Sequence, residues 1–236
     1  MSETFSPVAA EIQAIFDRIA PVYDRLNDRL SFGQHRIWKL MTVKWSEAKL
    51  GDHALDVCCG SGDLALQLAK QVGEQGQVTG IDFACEQLAI AEQRQSLKCP
   101  TVSMNWLEGD ALALPFPDNQ FDCATMGYGL RNVIDIPLSL HELWRVLKPG
   151  AKAAILDFHR PDTDYMQLFQ SWYLANIVVP TASAMGLKEE YAYISPSVER
   201  FPTGKEQIEL ARTAGFSQTV HYPLMGGMMG ILVLTK

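Results

Sequence analysis

The sequence predicts an α/β fold: one mostly parallel sheet of seven strands with helices on its faces, an antiparallel C-terminal hairpin and an N-terminal helical extension over residues 1–50. Three observations carry this. From Ala54 onward, short apolar runs alternate with stretches of helical periodicity, the order that builds a parallel sheet between helices. The run Leu55-Asp56-Val57-Cys58-Cys59-Gly60-Ser61-Gly62-Asp63 passes from a buried strand through a glycine turn into a helix. The last two apolar segments, Gln218–Pro223 and Met229–Leu234, are joined by Leu224-Met225-Gly226-Gly227-Met228 and read as a hairpin.

In chain order, Glu11 to Leu50 reads as helical. Ile12, Ile15, Phe16 and Ile19 fall at helix spacing before Pro21, and Ile37, Leu40 and Met41 do so after Gly33. Strands are expected near Ala54–Cys58, Gln77–Ile81, Val102–Leu107, Phe121–Met126 and Ala151–Leu156. Helices are expected over Asp63–Val72, Ala84–Gln95 and Pro137–Leu147, the last stopped by Lys148-Pro149-Gly150. A further helix is expected over Tyr165–Ile177, then an irregular segment to Phe201, then a helix over Gly204–Ala214 ending at Gly215. No repeat or Gly/Ser/Pro-rich linker divides the chain, so one domain is expected.

Composition bounds the function. The 236 residues are 47% hydrophobic and 20% charged, ordinary globular usage. A net charge of −7 argues against a broad electrostatic grip on nucleic acid. Five cysteines with no CxxC pair suggest neither a disulfide framework nor a metal site, so no metal is expected, and a reducing compartment is. Met1 to Ala10 carries no basic and apolar signal pattern, and no run of about 18 apolar residues occurs, so the expectation is a soluble cytoplasmic protein.

The glycine loop is the most informative stretch. Its glycines let backbone approach a ligand, and the following helix presents free amides. In an open parallel sheet ligands sit beyond the carboxyl ends of the strands, where this loop lies. Gly60-Ser61-Gly62-Asp63-Leu64-Ala65 satisfies G-x-G-x-x-G/A, and Asp82, twenty residues beyond Gly62 and followed by Phe83, is placed to hold a ribose diol. These features alone leave NAD and S-adenosylmethionine equally open. Two further acids favour the latter. Asp56 lies in the strand four residues before Gly60, where a carboxylate repels pyrophosphate but suits an ammonium or sulfonium group. Asp110, beside Ala111 after the third strand, is placed to accept from an exocyclic adenine amine. The plainer readings are a helix N-terminal charge for Asp63 and a turn residue for Asp110.

The chain resembles the ubiquinone/menaquinone biosynthesis C-methyltransferases. The resemblance is carried by Phe16-Asp17-Arg18-Ile19-Ala20-Pro21-Val22-Tyr23-Asp24-Arg25-Leu26-Asn27 and Leu30-Ser31-Phe32-Gly33-Gln34-His35. In order follow the glycine loop, Ala113-Leu114-Pro115-Phe116-Pro117-Asp118-Asn119, Gly129-Leu130-Arg131-Asn132-Val133, Arg145-Val146-Leu147-Lys148-Pro149-Gly150 and Arg200-Phe201-Pro202. Ser171-Trp172-Tyr173 and Met225-Gly226-Gly227-Met228 look most like the cyanobacterial and plastid branch, which methylates demethylphylloquinone. The resemblance implies a class I methyltransferase Rossmann-like fold and S-adenosylmethionine as cofactor, with contacts at Ser61, Asp82, Asp110 and Ala111. It also implies a catalytic arginine at Arg131, beside Asn132. The sequence departs from the family at Gly127, where many members carry serine, and at His159, where a small polar residue is usual.

The implied reaction joins a methyl group to the ring carbon of a prenylated (phytyl) naphthoquinol, since the oxidised ring is too electron-poor to attack. Because guanidinium stays protonated, Arg131 is expected to stabilise a phenolate or hold a water rather than act as a base. Tyr23 and Asn27 are candidates for a lid. Trp172, Tyr173, Phe201, Met225, Met228 and Met229 are candidates for a tail channel or for core packing. The tail implies peripheral contact with a membrane surface. A nicotinamide-dependent dehydrogenase, a menaquinone- or ubiquinone-type ring and a non-catalytic S-adenosylmethionine-binding protein are the alternatives.

Overall fold

The computed structural model describes Ser31, residues 33–184 and residues 194–236. Helix α1 (Gln34–Trp45) leads into β1 (His53–Val57), α2 (Asp63–Val72), β2 (Gln77–Asp82), α3 (Cys85–Lys98) and β3 (Ser103–Glu108). Then come β4 (Phe121–Gly127), a 3₁₀ turn (Leu130–Asn132), α4 (Ile136–Val146) and β5 (Leu147–Phe158). Helices α5 (Asp164–Tyr173), α6 (Val179–Ser183), α7 (Ile194–Arg200) and α8 (Gly204–Ala214) precede β6 (Gln218–Leu224) and β7 (Met229–Thr235).

The seven strands form one sheet in the order β3-β2-β1-β4-β5-β7-β6. All neighbours among the first five are parallel, and β7 runs antiparallel between β5 and β6. Strands β1, β2 and β4 are buried along nearly their whole length because helices cover both faces. On one face Leu55, Val57 and Ile81 pack under Leu140 and Leu143 of α4 and Ala211 of α8; on the other, Ala54, Val78 and Cys123 pack under Leu64, Leu68 and Val72 of α2. Edge strand β6 tolerates Pro223, which has no N–H to donate to a ladder.

The expected fold is present, with three corrections. Strand β5 begins at Leu147 rather than Ala151: Leu147 pairs with Phe121, then the register shifts and resumes at Cys123 and Lys152. Pro149 stops the helix, and Gly150 at φ +80 lets the chain bulge rather than loop away. The segment after Ile177 is more helical than expected. A π turn (Leu174–Val178) continues α5 into α6, its widened turn falling just before Pro180, which has no N–H for an α-helical bond, and α7 forms before Phe201. In α1 the buried face is His35, Trp38, Lys39, Thr42 and Val43, whereas Ile37 and Leu40 are exposed. The rest of the expected N-terminal helical stretch, with Tyr23 and Asn27, lies outside the described residues.

Two of the sequence motifs meet at Arg145. Its guanidinium donates to the carbonyls of Leu114 (2.9 Å) and Phe116 (2.7 Å) and to Asp118 (2.9 Å), while Glu142 accepts from Arg145 and from the Leu114 N–H (2.8 Å). One fork-shaped cation thus ties the Ala113–Asn119 turn to the end of α4, a geometry that an ammonium cannot copy. Arg145→Met is expected to lower stability by about 2 kcal/mol, from lost charge-assisted hydrogen bonds, and Arg145→Lys to recover less than half, both read from urea unfolding midpoints at unchanged slope.

Candidate functional site

Neighbouring parallel strands β1 and β4 form the point where the sheet's winding reverses, β2 and β3 lying to one side and β5 to the other. Both break their extended course at once. Cys58, directly after β1, has φ +53, and Tyr128, directly after β4, has φ +60. A left-handed conformation is costly for such side chains and is held here by the surrounding structure. The two turns fit together only because Gly129 has no side chain; a Cβ there would lie 2.5 Å from Cys58 Cβ. Beyond these strand ends opens a crevice of about 1180 Å³, its mouth included. Strand ends from β3 to β4 contribute Asp110 and Ala111, Asp82 and Phe83, Asp56 with Cys58 to Ser61, and Gly127 to Gly129; Lys39, Asp63, Gln87 and Asn132 also line it.

The carboxylates are fixed by backbone amides. Asp82 accepts from the Gly60 N–H (2.7 Å) and from the Ala84 N–H (2.9 Å), so the end of β2 sets the shape of the glycine loop. Gly60 itself is open: a Cβ there would meet only Gln87 Oε1, at 3.8 Å. Asp110 accepts from the Leu112 N–H (2.9 Å). Asp56, 1% exposed, accepts from the Thr125 hydroxyl (2.7 Å) and the Ala65 N–H (2.9 Å). Because Gly62 offers α2 no capping side chain, Asp56 serves as that cap from the strand below. Burial pushes the Asp56 carboxyl up to about 7, against the pull of Thr125 and Ala65, and Asp82 and Asp63 add to the rise. Asp63 is opposite in character. Burial raises it, but ion pairs with Lys39 and Arg94 bring it down to about 2. Arg94 also donates to Ser61 Oγ (2.8 Å) and to the Ser61 carbonyl (3.0 Å).

Most of the residues singled out by sequence therefore meet in one crevice: Asp56, Gly60, Ser61, Asp82, Phe83, Asp110, Ala111 and Asn132. Two do not line it. A Cβ on Gly62 would point at Trp106 (2.8 Å) and Ala91 (3.0 Å), so this glycine serves helix–sheet packing. Arg131 is turned inward. Its guanidinium donates to Asp157 (2.5 Å) and to the Tyr128 carbonyl (3.3 Å) and lies 4.9 Å from the Phe158 ring, while its N–H donates to Asp157 (3.0 Å). The pairing with an acid leaves Arg131 holding the 3₁₀ turn that carries Asn132. The Asn132 amide nitrogen donates to the Tyr128 carbonyl (3.0 Å), and because a carbonyl only accepts, this fixes which way the amide faces. Its Oδ1 is buried without a hydrogen-bond partner.

The other candidates divide. Phe201, Met228 and Met229 are buried in the packing, whereas Trp172 and Met225 are exposed. His159 is buried against His221, ring centroids 4.4 Å apart, with Nδ1 near the Gly227 carbonyl, away from the crevice. A Cβ on Gly127 would lie 2.8 Å from Leu64 Cδ1, so leucine occupies the space a serine would need. Sequence reasoning missed Lys39 and Tyr128. The signal for Lys39 was its place between Trp38 and Thr42 on the inward face of α1, hidden because a lysine breaks the apolar pattern. A dinucleotide fits badly, since Asp56, Asp63, Asp82 and Asp110 all line the crevice that would have to take its pyrophosphate. S-adenosylmethionine fits: the acids oppose its positive groups, and the open backbone at Gly60 gives it room.

The comparisons agree. A 2-phytyl-1,4-naphtoquinone methyltransferase of Nostoc punctiforme is 65% identical over 226 residues, covering 96% of this chain and 98% of that protein. A chloroplastic 2-phytyl-1,4-beta-naphthoquinone methyltransferase of Arabidopsis thaliana is 52% identical over 228 residues, covering 96% and 87%. Among solved structures, a SAM-dependent methyltransferase from Aquifex aeolicus shares the fold with a TM-score of 0.60 at 22% identity, over 84% of this chain and 88% of that one. Residues 6–236 match the ubiE/COQ5 methyltransferase family, so the chain belongs to that family and is an enzyme whose methyl donor is S-adenosylmethionine.

Proposed function

We propose that the protein methylates a ring carbon of a prenylated naphthoquinol, with demethylphylloquinol as the acceptor. The observation that carries this is the crevice at the β1/β4 reversal, acid-lined along β1 to β3 and opening at Asn132, in a chain so similar over its length to relatives named for a phytyl naphthoquinone. Asp82 holds the ribose hydroxyls, Asp110 and Ala111 the adenine edge, and Asp56 the positive end. When bound, S-adenosylmethionine supplies an electrophilic methyl group, so the remaining task of the protein is alignment and exclusion of water. Asn132 Oδ1 accepts a hydrogen bond from the quinol hydroxyl, which raises electron density at the adjacent ring carbon. Arg131 and Asp157 position Asn132 through the 3₁₀ turn and the Tyr128 carbonyl. Around the tail, Tyr165, Leu168, Phe169 and Trp172 project from α5 into solvent and support peripheral contact with a membrane; no described helix is long and apolar enough to cross one.

Labelled S-adenosylmethionine should transfer its methyl to reduced demethylphylloquinone and leave the oxidised form untouched. Equal labelling of both forms, or labelling of a benzoquinol precursor in preference, would overturn the acceptor. Asn132→Ala should lower kcat by about a hundredfold, the scale of a lost catalytic hydrogen-bond partner, while the affinity for S-adenosylhomocysteine stays within about twofold.

The raised Asp56 carboxyl makes binding pH-dependent. Below about 7 it is largely protonated and offers nothing to a cation; a bound cation favours the ionised form, so binding releases a proton. Affinity for S-adenosylmethionine should therefore climb as pH rises from 6 to 8, with proton release visible as a buffer-dependent heat in calorimetry, and Asp56→Asn should flatten the profile. In the ligand-free protein the sign reverses: Asp56 favours the fold most below about 4, and that contribution is lost as pH rises through about 7.

A further inference from the structure

Lys39 is a buried cation for which neither the sequence motifs nor the proposed reaction has yet given a use. It is 5% exposed, lines the crevice, and forms an ion pair with Asp63. An ammonium has three N–H donors. Among the described residues Asp63 is its one hydrogen-bond acceptor, and the next neighbour is the Tyr128 ring, its centroid 6.0 Å away. Donors are thus left over at a place where water is mostly excluded, which costs free energy unless something fills them. Nor is the charge consumed by Asp63, because Arg94 pairs with the same carboxylate. Asp63 thus answers Lys39 only in part, and the ammonium keeps N–H donors to offer the crevice. Among the described lining residues Lys39 is the only Lys or Arg, against Asp56, Asp63, Asp82 and Asp110.

Position decides what that charge meets. With Asp110 beyond β3, Asp82 at β2, Asp56 on β1 and Tyr128 beyond β4, the crevice runs across three strand spacings, about 14 Å. Helix α1 packs against α2, β4 and β5, so Lys39 reaches in at the end opposite Asp110. Resting on the cofactor reading above, with ribose and adenine held at β2 and β3, the amino-acid end of the ligand falls beside Lys39. That end carries two positive groups and one carboxylate. We propose that Lys39 binds the α-carboxylate of the methionine portion of S-adenosylmethionine, with Asp63, itself held by Arg94, keeping the Lys39 side chain in place.

Calorimetry with two ligands tests this: S-adenosylhomocysteine, and S-adenosyl-3-thiopropylamine, which keeps the ammonium and lacks the carboxylate. The wild-type protein should prefer S-adenosylhomocysteine by at least about tenfold. Lys39→Met should weaken S-adenosylhomocysteine by about tenfold to a hundredfold and leave the amine within about twofold, while Lys39→Arg keeps most of the preference. Equal losses for both ligands in Lys39→Met, or no loss for either, overturn the proposal, as does a fall in kcat with unchanged S-adenosylhomocysteine affinity, which would place Lys39 on the acceptor instead. If Lys39→Met does not fold, a wild-type protein that binds both ligands equally overturns it without any variant, and the expected preference, retained in Lys39→Arg, upholds it. A wild-type protein that binds neither ligand rejects the cofactor reading as a whole; one that binds S-adenosylhomocysteine without dependence on Lys39 rejects this inference alone.

Discussion

Strands β1 and β4 run side by side, bonded in register to Val57 and Met126, and then must part. They do so through left-handed turns at Cys58 and Tyr128, neither of which is a glycine. Such conformations survive only where the surroundings insist on them. Here the insistence comes from the missing side chain at Gly129, from the Tyr128 N–H bound to the Leu156 carbonyl (2.7 Å), and from Arg131 and Asn132 on the Tyr128 carbonyl. Without this parting there is no crevice, and the acids of three strand ends would face solvent separately.

The acids then have a double life. Asp82 shapes the glycine loop, and Asp56 caps α2, so each is a structural element before any ligand arrives. The same hydrogen bonds that satisfy them also aim them. An arrangement of this kind exchanges little on binding, because the carboxylates are already desolvated and oriented, and preorganisation is where much of binding affinity is kept or lost. The raised Asp56 carboxyl shows the cost: burying a charge beside Asp82 and Asp63 favours its neutral form until a cation restores the balance.

Most of the sheet was legible because β1, β2 and β4 are buried on both faces and so read as apolar runs, and Asp63–Val72 and Gly204–Ala214 end at glycines that a helix cannot easily pass. The site acids were legible for a related reason: a carboxylate inside or just after an apolar strand has few ordinary explanations. What stayed hidden depends on long-range contact. Asp157, which claims Arg131, is 26 residues away, and no local pattern announces the pair. Lys39 sits where periodicity leads one to expect an apolar residue. Pro180 follows a π turn instead of ending the helix, so the helical region runs further than its composition suggests.

Trp106 on edge strand β3 links these themes. Its indole donates to Gln95 Oε1 (2.8 Å), and its ring fills the space over two glycines: a Cβ would approach it to 2.6 Å from Gly80 and 2.8 Å from Gly62. The second glycine of the loop motif is therefore answerable to a tryptophan rather than to the ligand. Positions 80 and 106 share a fixed volume and should drift together through evolution. A slimmer residue on that outer strand relieves position 80 but not position 62, where φ +82 and Ala91 at 3.0 Å still demand glycine, so the loop motif keeps its second glycine even where that tryptophan has been replaced.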